Sequence, residues 1–196
     1  MYPIKHYARA SLKGSAPENN IKKTESVTLR FDTYAIDKLR KQAEEKQVSL
    51  NVMLNHIVTQ HLDWHAHAAD AGFISIRKNL IMNMLQKISE QEIVEMAKYT
   101  AKKDAKDFIM MLRNEYSITS ALEILDTWLK IAGYSHRHEV RGTEHSYFIQ
   151  HGMGIKWSLY LSELFRFIGE DFGLTRVDFD VGENTLSFRI DIGVWL

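Results

Sequence analysis

Four histidines, His136, His138, His145 and His151, fall within sixteen residues of one another. His136 and His138 are two apart, so on a strand they share a face. His145 opens the next strand-like run and can lie across from them. Imidazoles grouped in this way could bind Zn or Ni, and His136, His138 and His145 are the set that would do so. The spacing fits no standard metal site and the chain has no cysteine, so hydrogen-bonded or exposed strand histidines are the plainer expectation, with no cofactor. His61 and His65, four apart on a helix, form a second group with His67, read more simply as a helix end.

The stretch HGMGIKWS (151–158) could present backbone amides to an anion, with Lys156 adding charge. It lacks the P-loop spacing, and a tight strand-to-helix turn is the favoured reading. Catalytic patterns are absent: no nucleophile elbow, no H-E-x-x-H, no dinucleotide fingerprint. A hydrolase built on His151 with Glu139 or Glu144 is not required by the sequence, and no enzyme is expected. The aromatics Trp128, Tyr147, Phe148, Trp157, Tyr160, Phe165 and Phe167 are numerous enough to line an apolar pocket, or to form a core.

The third group with chemistry lies in VTLRFD (27–32). Val27, Leu29 and Phe31 alternate with Thr28, Arg30 and Asp32, the two-residue period of a strand with one buried face. Arg30 and Thr28, with Ser26, then share the polar face. Arg can pair bidentately with guanine, and Ser or Thr can bond to several bases.

These residues need elements to hold them. Asp32 or Thr33 can cap a helix with Ile36, Leu39 and Ala43 on one face. Ser49 can cap a second, LNVMLNHIVTQHLDW, whose apolar face holds Leu50, Met53, Leu54, Ile57, Val58 and Leu62. FISIRKN (73–79) reads as a short strand or a linker, and 79–88 as helix. Ser89-Glu90-Gln91-Glu92 matches a capping box opening a helix to about residue 113. Ser117 or Thr119 can cap another, ending at Gly133. HEVRG and HSYFIQ then form a hairpin, residues 154–173 an amphipathic helix, and TRVDFDV with TLSFRIDI a second hairpin around Gly182.

A strand and two helices of about forty residues cannot bury a core alone, and a lone strand leaves its backbone groups unpaired. The same strand in a second copy of the chain is the simplest partner. Residues 26–62 accordingly resemble a ribbon-helix-helix DNA-binding domain of the Arc/MetJ type, with its alternating strand, polar cap, apolar helix, short turn and Ser-capped second helix. The resemblance covers about a fifth of the chain. It implies an intertwined homodimer whose two-stranded ribbon lies in the DNA major groove. By position, Ser26, Thr28 and Arg30 would contact bases. Ser49, with the amides of Leu50 and Asn51, would anchor a phosphate, and Lys22 and Lys23 would touch the backbone. Many members carry Gly between the helices. This chain has Lys46-Gln47-Val48, so Gln47 would carry strain if its φ is positive.

The expected class is therefore α+β: a flexible basic arm (1–24), a ribbon-helix-helix domain (25–64), a linker (65–78) and a mixed domain of helix-hairpin-helix-hairpin order (79–196). The 196 residues carry no net charge, but residues 1–50 hold ten Lys+Arg against six Asp+Glu. A balance of +4 at that end suits a polyanion partner. No apolar run is long enough to span a membrane. The opening MYPIKHYARASLKG lacks a signal-peptide core, and the absence of cysteine fits a cytoplasmic location. The reading is a transcription regulator, a repressor by type, that binds double-stranded DNA as a homodimer, with tetramers on DNA a further possibility. Its C-terminal domain would sense a small-molecule effector or drive assembly. The alternative is an antitoxin-like or scaffold dimer that holds a protein partner.

Overall fold

The computed structural model describes residues 24–68, 70–174 and 177–193. Residues 24–32 carry no regular secondary structure, and every strand of the sheet among the described residues comes from later in the chain. Helix α1 (Thr33–Glu45) begins where the Asp32 carboxylate accepts the Ala35 amide at 3.2 Å. Helix α2 (Leu50–Gln60) begins where the Ser49 hydroxyl accepts the Val52 amide at 3.2 Å. Each cap satisfies one of the amides that a helix start leaves without an intrahelical acceptor.

Two crossing helices bury only what lies between them. Ala43 and Met53 are buried, whereas Ile57, Val58 and Leu62, expected on the buried face of α2, stay exposed. Helix α2 does not stop at Gln60. It continues through a π-helical turn (His61–His65) into α3 (Ala66–Ala68), and Trp64 in that turn is buried against Ile109 and Ile124. Trp64 meets Phe73 and Phe108 edge-on, with ring centroids 5.1 and 5.5 Å away, a favoured arrangement of ring quadrupoles. The 73–77 stretch forms neither strand nor helix.

Helix α4 (Lys78–Gln86) is followed by α5 (Glu90–Thr100), opened by the full capping box of Ser89 and Glu92. The rod then passes through a second π-turn (Ala101–Ala105) into α6 (Lys106–Arg113). Helix α7 (Ile118–Ile131) starts at the Ser117 cap. The chain continues as β1 (Ser135–Arg141), β2 (Glu144–Gln150), α8 (Ile155–Asp171), β3 (Asp178–Val181) and β4 (Thr185–Asp191). The sheet is antiparallel throughout, in the order β1-β2-β4-β3. The architecture is α+β, with the expected alternation of helix and hairpin in its second half. The two helix-hairpin units meet at the central pair β2 and β4.

Alternation divides the strands between two faces. Tyr147, Ile149, Leu186, Phe188 and Ile190 face the helices and join Leu129 and Leu161 in the main core. The other face carries Arg137, Glu139, Asp178 and Arg189 around a half-exposed Phe148. Among the described residues no helix is long and apolar enough to cross a membrane.

Candidate nucleic-acid interface

Ser26, Thr28 and Arg30 are exposed, on a stretch that joins no strand ladder among the described residues. Their apolar alternates are exposed as well: Val27 by 71%, Leu29 by 65% and Phe31 by 44%. A strand with one apolar face does not ordinarily leave that face in water, since each uncovered side chain forgoes about 1.5–3 kcal/mol of burial. Lys22 and Lys23 lie outside the described residues.

At the start of α2, Ser49 is extended and its hydroxyl oxygen is occupied by the Val52 amide. Leu50 and Asn51 hold the first two helical positions, where amides have no intrahelical acceptor. Asn55 donates from its side chain to the Asn51 carbonyl at 2.8 Å and to the Asn51 side-chain oxygen at 3.3 Å, which braces this first turn. The arrangement offers outward amide donors at the positive end of a helix dipole.

The turn before it uses a left-handed residue. Gln47 has φ 55°. Its amide donates to the Glu44 carbonyl and the Val48 amide donates to the Ala43 carbonyl, both at 2.9 Å. This is the paired 5→2 and 6→1 closure that ends helices at glycine. Helix α7 ends in the same way at Gly133 and α8 at Gly173. At α1 a side chain with a Cβ occupies the position, at a cost of about 1–2 kcal/mol, and α6 likewise ends at a left-handed non-glycine residue, Asn114 with φ 53°.

The histidines separate into three environments. His138 and His145 meet: His138 Nε2 lies 2.9 Å from His145 Nδ1, and His138 Nδ1 lies 3.0 Å from Asp126 Oδ2 on α7. With the carboxylate accepting from Nδ1–H, His138 Nε2 is the acceptor for His145 Nδ1–H. Burial, and then the neighbouring His138, lower the His145 pKa, with Asp126 opposing. Tyr147 stacks on His138 at 4.0 Å, and its buried hydroxyl is held well above the usual phenol range by burial and by the Asp126 charge. His136 is apart from this pair, with Nδ1 on the Tyr134 carbonyl at 3.0 Å. Among the described residues no three His, Cys, Asp or Glu side chains converge as metal ligands. Asp126 is the member of this network that sequence reading did not find. It lies twelve residues from His138 on a different element, so no local spacing could signal it.

His151 is buried and serves the core. The Met153 amide donates to its Nδ1 at 3.0 Å, so its Nε2 carries the proton and donates to Ser158 at 2.8 Å. The Ser158 hydroxyl donates in turn to the Gly182 carbonyl at 2.6 Å. Burial, with Lys78 nearby, lowers the His151 pKa. Glu139 and Glu144 are not its partners. The glycine-rich stretch is a turn: the amides of His151 and Gly152 donate to the Asn184 carbonyl, and that of Gly154 donates to the Asn184 side chain. Lys156 donates to the carbonyls of Gln86 and Ile88, closing the end of α4. These groups have protein partners in place of an anion.

No known family model matches the chain, and no curated protein matches it.

Proposed function

We propose that the protein is a homodimeric transcription regulator that reads DNA with a two-stranded ribbon. In this reading residues 24–32 of two copies pair antiparallel, and α1 and α2 of both copies cover the apolar side. Val27, Leu29 and Phe31 then become core, while Ser26, Thr28 and Arg30 enter the major groove. Ser49, Leu50 and Asn51 clamp a phosphate beside it, and the basic arm with Lys22 and Lys23 adds sequence-independent attraction. The α+β half modulates binding through a ligand or through assembly.

The observation that carries this reading is the set of three uncovered apolar residues at alternate positions of a segment without regular secondary structure, directly before two capped helices. A second copy supplies both the missing ladder and the missing core. Ile57 and Val58 on α2 and Leu62 in the π-turn after it are exposed as well, apolar side chains that a partner could cover.

The test is capture of sheared genomic DNA by the purified protein at physiological salt, followed by sequencing. Enrichment of a few fragments sharing a short repeat is the expected result. Uniform retention that vanishes with added salt would reduce the interface to a basic arm on phosphate. No retention, together with a protein partner co-purifying in equal amount, would favour the interaction-dimer reading.

A further inference from the structure

A cavity of about 680 Å³ lies where α8 meets α7, the second π-turn and the stretch after α3. Its size is within the range of small-molecule sites. Its walls include Trp64, Phe108, Trp128, Trp157, Tyr160 and Phe165. The charged residues among its lining are Asp70, Asp104 and Asp107 against the single cation Lys103, and all four are exposed. An aromatic chamber thus opens beneath a rim of net negative charge.

Two further observations converge on this chamber. Both π-helical turns among the described residues border it: His61–His65 contributes Trp64, and Ala101–Ala105 contributes Lys103, Asp104 and Ala105. Such turns break the regular helical ladder and recur at functional sites. The rim also acts electrostatically on the wall. Burial lifts the Tyr160 phenol above its ordinary value, the hydrogen bond with Thr100 opposes this, and the Asp104 charge adds to the rise.

We propose that this cavity binds a hydrophobic organic cation: an aromatic or alkyl body carrying one quaternary or delocalised positive charge. Such a ligand buries its body against the rings, meets their negative faces with its charge, and brings that charge to the carboxylate rim. An apolar anion of equal size gains the burial and meets repulsion at the rim. Trp64 belongs to the helical run that continues α2, so an occupant touches the same run that begins at the proposed phosphate clamp. That regulatory consequence rests on the proposed function; the binding site does not.

The probes are tetraphenylphosphonium and tetraphenylborate, which share size and shape and differ in the sign of their charge. Titration calorimetry on the full chain at physiological salt measures both, and tryptophan emission gives a second readout, since Trp64, Trp128 and Trp157 line the cavity. The expected result is one phosphonium per chain, bound at least about tenfold more tightly than the borate. The double substitution Asp104→Asn with Asp107→Asn, at exposed positions the fold does not need, weakens phosphonium binding at least about threefold. Ala121→Trp, which fills the chamber, abolishes binding of both ions if the variant folds by circular dichroism; if it does not fold, the aspartate pair decides. Absence of phosphonium binding, equal or tighter borate binding, or an affinity unchanged by the aspartate substitutions would overturn the proposal. Neither arm uses DNA, so a failure of DNA reading leaves this result interpretable.

Discussion

His138 Nε2 stands 2.9 Å from His145 Nδ1 across the β1–β2 hairpin, and the Asp126 carboxylate fixes the other side of the His138 ring at 3.0 Å. His145 donates Nδ1–H into this pair whether neutral or charged, but burial and then the neighbouring His138 disfavour its charged form. His151 is buried as well, and protonation at Nδ1 would remove the acceptor that the Met153 amide uses at 3.0 Å.

The folded protein is therefore expected to lose stability in mild acid. Both His145 and His151 titrate below their ordinary value of 6.5 in the fold. The unfolded chain binds protons at these positions first as pH falls. Their contribution is complete above about pH 6.5 and is lost progressively below it, towards the lowered folded values. Urea unfolding at pH 7.5 and pH 5 checks this: the midpoint should fall at pH 5, and His151→Gln should reduce the difference.

Ser158→Ala should destabilise the chain by about 1–3 kcal/mol, because it leaves a buried imidazole N–H and the Gly182 carbonyl without their shared partner. Denaturant midpoints measured with an unchanged slope would show this.

Gln47 is expected to tolerate glycine and reject branching. Gln47→Gly keeps the φ of 55° without a Cβ and should leave the thermal midpoint unchanged or higher. Gln47→Val should cost about 1–2 kcal/mol, since a β-branched side chain is a poor occupant of the left-handed region. Thermal melts of the two variants side by side give the comparison.

On the proposed dimer, Leu29→Glu places a charge on the apolar side of the two-stranded ribbon, beneath the covering helices, and should yield monomers by size-exclusion chromatography with light scattering. Asn55→Ala, which loosens only the first turn of α2, should remain dimeric.

Arg30→Ala should cost about 1–3 kcal/mol on the selected DNA and relax preference at one base pair. Lys23→Ala should weaken all sequences alike and lower the salt slope by about one. Binding isotherms over a salt series separate the two.

The amino-acid sequence by itself determined the local frame of this protein. Asp32, Ser49, Ser89 with Glu92, and Ser117 cap the helices they were expected to open, because a cap is a bond between groups three residues apart. The two hairpins and the stop at Gly133 were legible for the same reason. The alternation in VTLRFD predicts a strand, yet among the described residues this stretch carries no regular secondary structure. Tertiary structure alone decided which distant groups meet: Asp126 with His138, Trp64 with Ile109, Ser158 with Gly182, and the placing of β2 beside β4. It also converted part of the aromatic content into a chamber and part into core, and it continued α2 through a π-turn that no spacing announced. Such contacts join residues on separate elements, and their partners are set by how helices and sheet pack, which a short window of sequence does not encode.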